Sequence, residues 1–218
     1  MKIWITLKNA ILAAHHPNSR IRIGAIRAPH DYQAAIGMLA EHIEQFSQLP
    51  FPVFPIHDQA GLYGELIGAW HNQGLVGALM VGPAHHYTHD PSLLANPAYK
   101  PEVFTAAIAC IDALVVKPGY RRHGIGLALK NAATAWADQH GASIMLSVPT
   151  TNAARELNKK AGYQVLGPNI ILMVKHPDHE LRIGFPFPND TVAVYAFNNT
   201  TGPTINVSYQ HLPTLNSR

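Results

Sequence analysis

The stretch Val116-Lys117-Pro118-Gly119-Tyr120-Arg121-Arg122-His123-Gly124-Ile125-Gly126 constrains this chain most, because it sets a glycine-paired loop between an apolar run and a long helical one. Ala106 to Val116 is rich in Ile, Val and Ala and is stopped by Pro118, which predicts a buried strand. From Gly124 to His140 the pattern predicts a helix, with Gly141 as its C-terminal cap. Gly124 and Gly126 let a ligand approach the backbone with no Cβ in the way. The free amides and positive dipole end of the helix favour an anion there.

Elements of both kinds surround this unit. Ile21 to Arg27 alternates as a strand, and Pro29 opens a helix in which Ile36, Leu39, Ile43 and Phe46 recur at helical spacing. A proline-rich loop, residues 49–55, stops it. Leu62 to Trp70 and Leu75 to Val81 flank His71-Asn72-Gln73-Gly74 as a hairpin. Pro83 to Glu102 reads as a long polar loop. The order then runs strand 104–117, helix 124–140, strand 143–149, helix 152–161 and strands near 163–166 and 170–175. In the tail, Thr191 to Phe197 and Thr204 to Tyr209 predict a further hairpin around Asn198-Asn199-Thr200-Thr201-Gly202-Pro203. Three segments result: an extension over 1–19, a main domain over 20–176, and a C-terminal extension over 177–218.

A chain of 218 residues with 47% hydrophobic and 13% charged residues is globular and has enough length for a sizeable core. A formal net charge of +3 is too small to argue for nucleic acid. No apolar run reaches membrane-spanning length, and Lys8 and Asn9 interrupt the mildly apolar N-terminus. The single cysteine, Cys110, rules out an internal disulfide and fits a reducing cytoplasm.

The loop Arg121-Arg122-His123-Gly124-Ile125-Gly126 resembles the coenzyme A loop of the GNAT superfamily of N-acyltransferases. Two further motifs extend the resemblance: Val116-Lys117-Pro118 before the loop, and Asn152 followed by Leu157-Asn158-Lys159-Lys160-Ala161-Gly162-Tyr163 one helix and one strand later. It covers about residues 20 to 176. The resemblance implies a mixed α/β sheet with splayed central strands, here 104–117 and 143–149, to which the tail adds its hairpin. It also implies acetyl-CoA as acyl donor and an amine of a small molecule or protein as acceptor. Leu114, Val115 and Val116 would lie along the cofactor, amides from Arg121, Arg122, His123, Gly124, Ile125 and Gly126 would bind its pyrophosphate, and Asn152 would hydrogen-bond its pantetheine arm.

For catalysis, strict alternation puts Cys110, Asp112, Leu114 and Val116 on one strand face and Ile111, Ala113 and Val115 on the other. Asp112 is a carboxylate within an apolar run and is the candidate general base; a structural, hydrogen-bonded carboxylate is the other reading. Cys110 is a candidate nucleophile, although an apolar strand supplies nothing to activate it. Where many members of the family carry a Tyr after the helix Leu, this chain has Asn158. Either Tyr120 or Tyr163 then protonates the leaving thiolate, or the thiolate leaves unassisted. His85, His86, His89 and Asp90 match no metal-ligand spacing, so no metal is expected. The alternative function is a coenzyme A-binding or assembly module of the same fold without turnover. The apolar face of the tail hairpin points to a homodimer.

Overall fold

The computed structural model describes residues 21–43, 61–198 and 205–212. The N-terminal extension, the proline-rich loop and the tip of the tail hairpin lie outside them. Its elements are β1 (Ile21–Ala25), α1 (Pro29–His42), β2 (Glu65–His71), β3 (Gly74–Pro83), α2 (His85–Thr88), α3 (Pro91–Leu94), α4 (Pro101–Thr105), β4 (Ile108–Val116), α5 (Ile125–Gln139), β5 (Ile144–Ser147), α6 (Asn152–Lys160), β6 (Gln164–Leu166), β7 (Ile170–Lys175), β8 (Arg182–Phe187), β9 (Val192–Ala196) and β10 (Asn206–His211).

A seven-stranded sheet has the order β1-β2-β3-β4-β5-β9-β6, and a three-stranded sheet the order β10-β7-β8. In the large sheet β4 and β5 are parallel, as the intervening crossover through α5 requires. One face is covered by α5, whose Ile125, Leu129, Ala133, Trp136 and Ala137 meet Ile67, Val76, Leu79, Val81, Ala109 and Ile111. On the other face α1 brings Ala35, Met38 and Leu39 against Leu66, Ala78, Met80, Ala113 and Val115. The small sheet covers the rest of that face, Ile170, Leu172, Val174, Phe185 and Phe187 packing over Ile108, Cys110, Ile144 and Leu146.

The β2–β3 hairpin forms as its sequence predicts, with Asn72 taking the positive φ of 55° at the turn. Two expectations change. Pro83 to Glu102 is not an extended loop: Pro91 and Pro101 each open a short helix, Asp90 caps the first by accepting from the Ser92 amide at 2.8 Å, and β4 starts at Ile108 rather than at 104. The two tail runs do not pair with each other. β9 inserts between β5 and β6, and β10 pairs with β7 in the small sheet. β7 and β8 form the hairpin of this added C-terminal β structure, and β8 tolerates Pro186 because it is an edge strand. Val192, Ala193 and Val194 are thereby buried inside their own chain. Of the strands beyond residue 177, β9 is thus an integral part of the large sheet, while β8 and β10 build the small one.

Candidate active site

β4 and β5 pair only over four positions, Ile108 with Ile144 through Ile111 with Ser147. From Asp112 onward β4 has no strand neighbour on that side among the described residues, so its backbone groups face an opening between the strands. β3 continues along the other side as far as Val116. At the mouth β3 and β4 fall out of register: Met80 pairs with Ala113 and Val81 with Ile111, which leaves Asp112 as the extra residue of a β-bulge. The bulge overturns the expected alternation. Before it, Ala109 and Ile111 face α5; after it, Leu114 and Val116 do. Val115 lies on the opposite face beside α1. Cys110 and Leu114, expected on one face, are therefore on opposite faces.

The Asp112 side chain is only 3% exposed, although the residue as a whole is half-buried, so what reaches the opening is largely main chain. Its Oδ1 is buried and has no hydrogen-bond partner. Burial raises this carboxyl to about 7, with the neighbouring Cys110 thiol acting the other way. Cys110 is fully buried, and burial pushes its thiol well above the ordinary range, with Asp112 adding to the rise. That is the wrong direction for a nucleophile.

The partner that sequence reasoning missed is His86. Pro83 pairs with Ala109, the Ala84 amide donates to the Ile108 carbonyl, and the first turn of α2 carries His86 back over β4. Its Nδ1 stands 3.8 Å from Asp112 Oδ1 while the ring stays 43% exposed. Burial, and then His85, hold its pKa below the usual histidine value. The His86 ring lies against Tyr87, centroids 4.0 Å apart, and Tyr87 is wedged against Phe185 and Phe187 of β8. Thr88 fixes the helix from behind: it bonds Thr105 at 2.8 Å, and its carbonyl accepts from the Tyr99 hydroxyl at 2.9 Å. The histidine cluster is thus divided. His85 and His89 meet each other at 3.4 Å, Asp90 caps α3, and only His86 joins Asp112. The cluster was visible in the sequence, but which member turns inward depends on where β3 ends.

The expected cofactor loop is built for an anion. Arg121 Nε donates to the Val116 carbonyl at 2.9 Å, which folds the loop back on the strand. Arg122 and Gly124 adopt positive φ of 67° and 79°, which turns neighbouring amides the same way. α5 starts with no side-chain cap on its first amides, and the exposed Arg121, Arg122 and His123 lead into it. Nothing lies within 4 Å of where a Cβ on Gly124 would point. Gly126 serves a second purpose: a Cβ there would meet Leu157 of α6 at 3.2 Å, so its absence allows the helices to close.

Asn158, in the family's Tyr position, is buried with an unpartnered Oδ1. That orphaned acceptor, the unpaired edge of β4 and the uncapped helix fit a coenzyme with an amide-bearing arm and a pyrophosphate. Asn152 instead accepts from Arg155 at 3.1 Å and lines a groove of about 500 Å³ with Arg155, Glu156, Lys159, Gly167 and Thr191, on a different side of α6 from Leu157.

Neither candidate tyrosine joins Asp112. The Tyr120 hydroxyl meets His71 Nδ1 at 3.4 Å, beside the β2–β3 turn. Tyr163 is buried on the α5 face, its hydroxyl between Thr134 at 3.1 Å and Met145 Sδ at 2.7 Å, and burial raises its pKa further. Beside it sits a buried cation: Lys130 Nζ lies 3.4 Å from Ser147 Oγ and 4.4 Å above the Tyr163 ring.

Residues 32–163, more than half of the chain, match the family model described as Acetyltransferase (GNAT) family. The chain belongs to this family of acyl-CoA N-acyltransferases. Among solved structures it is similar to a Drosophila melanogaster polyamine N-acetyltransferase that forms N-acetylagmatine, at 17% identity over 81% of this chain and 100% of that one, TM-score 0.47. A Bacillus subtilis acetyltransferase in complex with CoA shares 14% identity over 82% and 99%, TM-score 0.46. An IAA acetyltransferase from Bacillus cereus shares 12% over 81% and 99%, TM-score 0.47. No curated protein matches the sequence significantly. No helix among the described residues is long and apolar enough to cross a membrane.

Proposed function

We propose that this chain moves an acetyl group from acetyl-CoA to an amine of a small molecule or protein, with Asp112 as general base. The observation that carries this reading is the bulge, which sets a buried carboxylate with an orphaned oxygen at the mouth between β4 and β5. Coenzyme A, when bound, supplies the activated acyl group and a thiolate able to leave. The amides from Arg122 to Gly126 hold its pyrophosphate, and the free backbone of β4 from Ala113 to Val116 holds its arm, with Asn158 Oδ1 accepting from an arm amide. Asp112 takes the proton of the incoming ammonium so that a neutral amine is the nucleophile. His86, half-exposed 3.8 Å from Asp112, passes that proton to solvent once its ring turns to close the gap. The hydroxyls of Tyr120 and Tyr163 are engaged elsewhere, and the reading needs no protein acid for the thiolate, whose own acidity lets it leave.

Asp112→Asn tests this directly. It keeps size and burial but removes the base, and kcat should fall roughly 10²-fold or more while affinity for coenzyme A by calorimetry stays unchanged. Normal turnover in this variant would overturn the role of Asp112. Tight coenzyme A binding by the unmodified protein, with no acetylated product across a wide amine library, would instead support the module without turnover, the reading that Asn158 favours.

A further inference from the structure

The cluster His86, Cys110 and Asp112 combines three kinds of donor in one small volume. One ligand atom from each, an imidazole nitrogen, the thiol sulfur and a carboxylate oxygen, lies within 4.8 Å of the other two. Among the described residues no other group of three such side chains converges in this way. Asp112 Oδ1 is buried and unpartnered, and His86 Nδ1 faces it from 3.8 Å. That separation is too long for a hydrogen bond but close to the spacing of two ligands on one ion, about 3.4 Å for tetrahedral bonds of about 2.0–2.2 Å. A small rotation of the half-exposed His86 ring closes the difference.

We propose that His86, Cys110 and Asp112 bind a zinc-like divalent cation, and that the bound ion reversibly stops acetyl transfer by occupying Asp112. The donor set selects the ion. Nitrogen, sulfur and oxygen ligands in a compact tetrahedral arrangement suit Zn²⁺ or Co²⁺, whereas Mg²⁺ and Ca²⁺ take oxygen alone. Charge closes as well. The thiol releases its proton to solvent on coordination, so one thiolate and one carboxylate neutralise the dication, and His86 binds as a neutral ring. A neutral filled site removes the cost of burying an unpaired ion. The fourth position opens on the side where His86 meets solvent, which is also the way in.

The inhibitory half of the proposal rests on Asp112 acting as the base; the metal site does not. The experiment separates them. Full-length protein is stripped with chelator and titrated with Co²⁺, and the absorption spectrum is recorded. One equivalent should bind with tetrahedral visible bands and a thiolate-to-metal charge-transfer band. Cys110→Ser should lose the charge-transfer band, and His86→Ala should weaken binding about tenfold or more. Circular dichroism checks both folds; if Cys110→Ser disturbs the core, the half-exposed His86→Ala still decides. In parallel, Zn²⁺ is titrated into the reaction and acetylated amine is counted by mass spectrometry, since free coenzyme thiol itself binds zinc. Each variant, measured against its own zinc-free rate, should be about tenfold or more less sensitive than the parent. Absence of a charge-transfer band in the parent, or unchanged Co²⁺ binding in His86→Ala, would overturn the site. A parent that binds Co²⁺ with the expected bands yet turns over normally with Zn²⁺ bound would keep the site and remove Asp112 as base.

Discussion

Two buried ionisable side chains of opposite sign set the character of this molecule at the scale of single residues. Asp112 is held where its carboxyl is costly to ionise, and the proposed base role at the strand opening would give it a use. Lys130 has no such outlet. It is 2% exposed, its hydrogen bond to Ser147 is a long one at 3.4 Å, and burial lowers its pKa from 10.5 to about 8. The folded state binds this proton less tightly than the unfolded chain does. The cost is therefore fully present below about pH 8 and is relieved as pH rises from 8 towards 10.5. Its size is on the order of 3 kcal/mol. Lys130→Met, which fills similar volume without charge, should raise the denaturation midpoint at pH 7, and its advantage over the parent should shrink by pH 10. A Lys130→Met protein less stable than the parent at pH 7 would mean that the ammonium is better compensated than its neighbours indicate.

At the scale of elements, the loop between β4 and α5 and the contact between α5 and α6 use glycine for two different reasons. Gly124 is needed for its φ of 79°, with open space where a side chain would go. Gly124→Ala should cost about 1–2 kcal/mol through backbone strain and weaken coenzyme A binding by turning the first amides of α5 away. Gly126 has ordinary φ but no room, because Leu157 stands 3.2 Å from the missing Cβ. Gly126→Ala should cost less and act on the seating of α6. Calorimetric coenzyme A affinity beside denaturant midpoints distinguishes the two. Equal losses of affinity in both variants would refute this division.

Across the whole molecule, β9 is the element that the chain least expects from its order. It follows β7 and β8 of the small sheet in the chain, yet it completes the large one between β5 and β6 before β10 returns to the small one. Of the apolar residues that pointed to a dimer, Val192, Val194 and Ala196, the two valines are covered by their own domain and Ala196 is exposed. Deleting residues 189–218 should therefore give an aggregating or poorly folded chain rather than a stable monomer, because β5 and β6 both lose their partner and Ile144 and Leu146 lose cover. Light scattering and thermal melts of the truncated protein test this; a soluble truncation with the parent's melting temperature would show that β9 is dispensable.

The loop between β4 and α5, the long helix after it, the β2–β3 hairpin and the apolar identity of β4 were legible in the chain because each is encoded by residues adjacent in sequence. Periodicity, Pro118 and the paired glycines act within a few residues of where they stand, and the motif ending at Gly162-Tyr163 extends the same local logic. The sequence also placed Asp112 on the right strand. Which way its neighbours face was decided by the register between β3 and β4, since one extra residue at the bulge reverses every side chain beyond it. The meeting of His86 with Asp112 depends on that same pairing and on where β3 ends. The position of β9 depends on which free strand edge it reaches. These are choices between distant partners, made by hydrogen-bond pairing and burial in three dimensions, and no local pattern in the chain carries them.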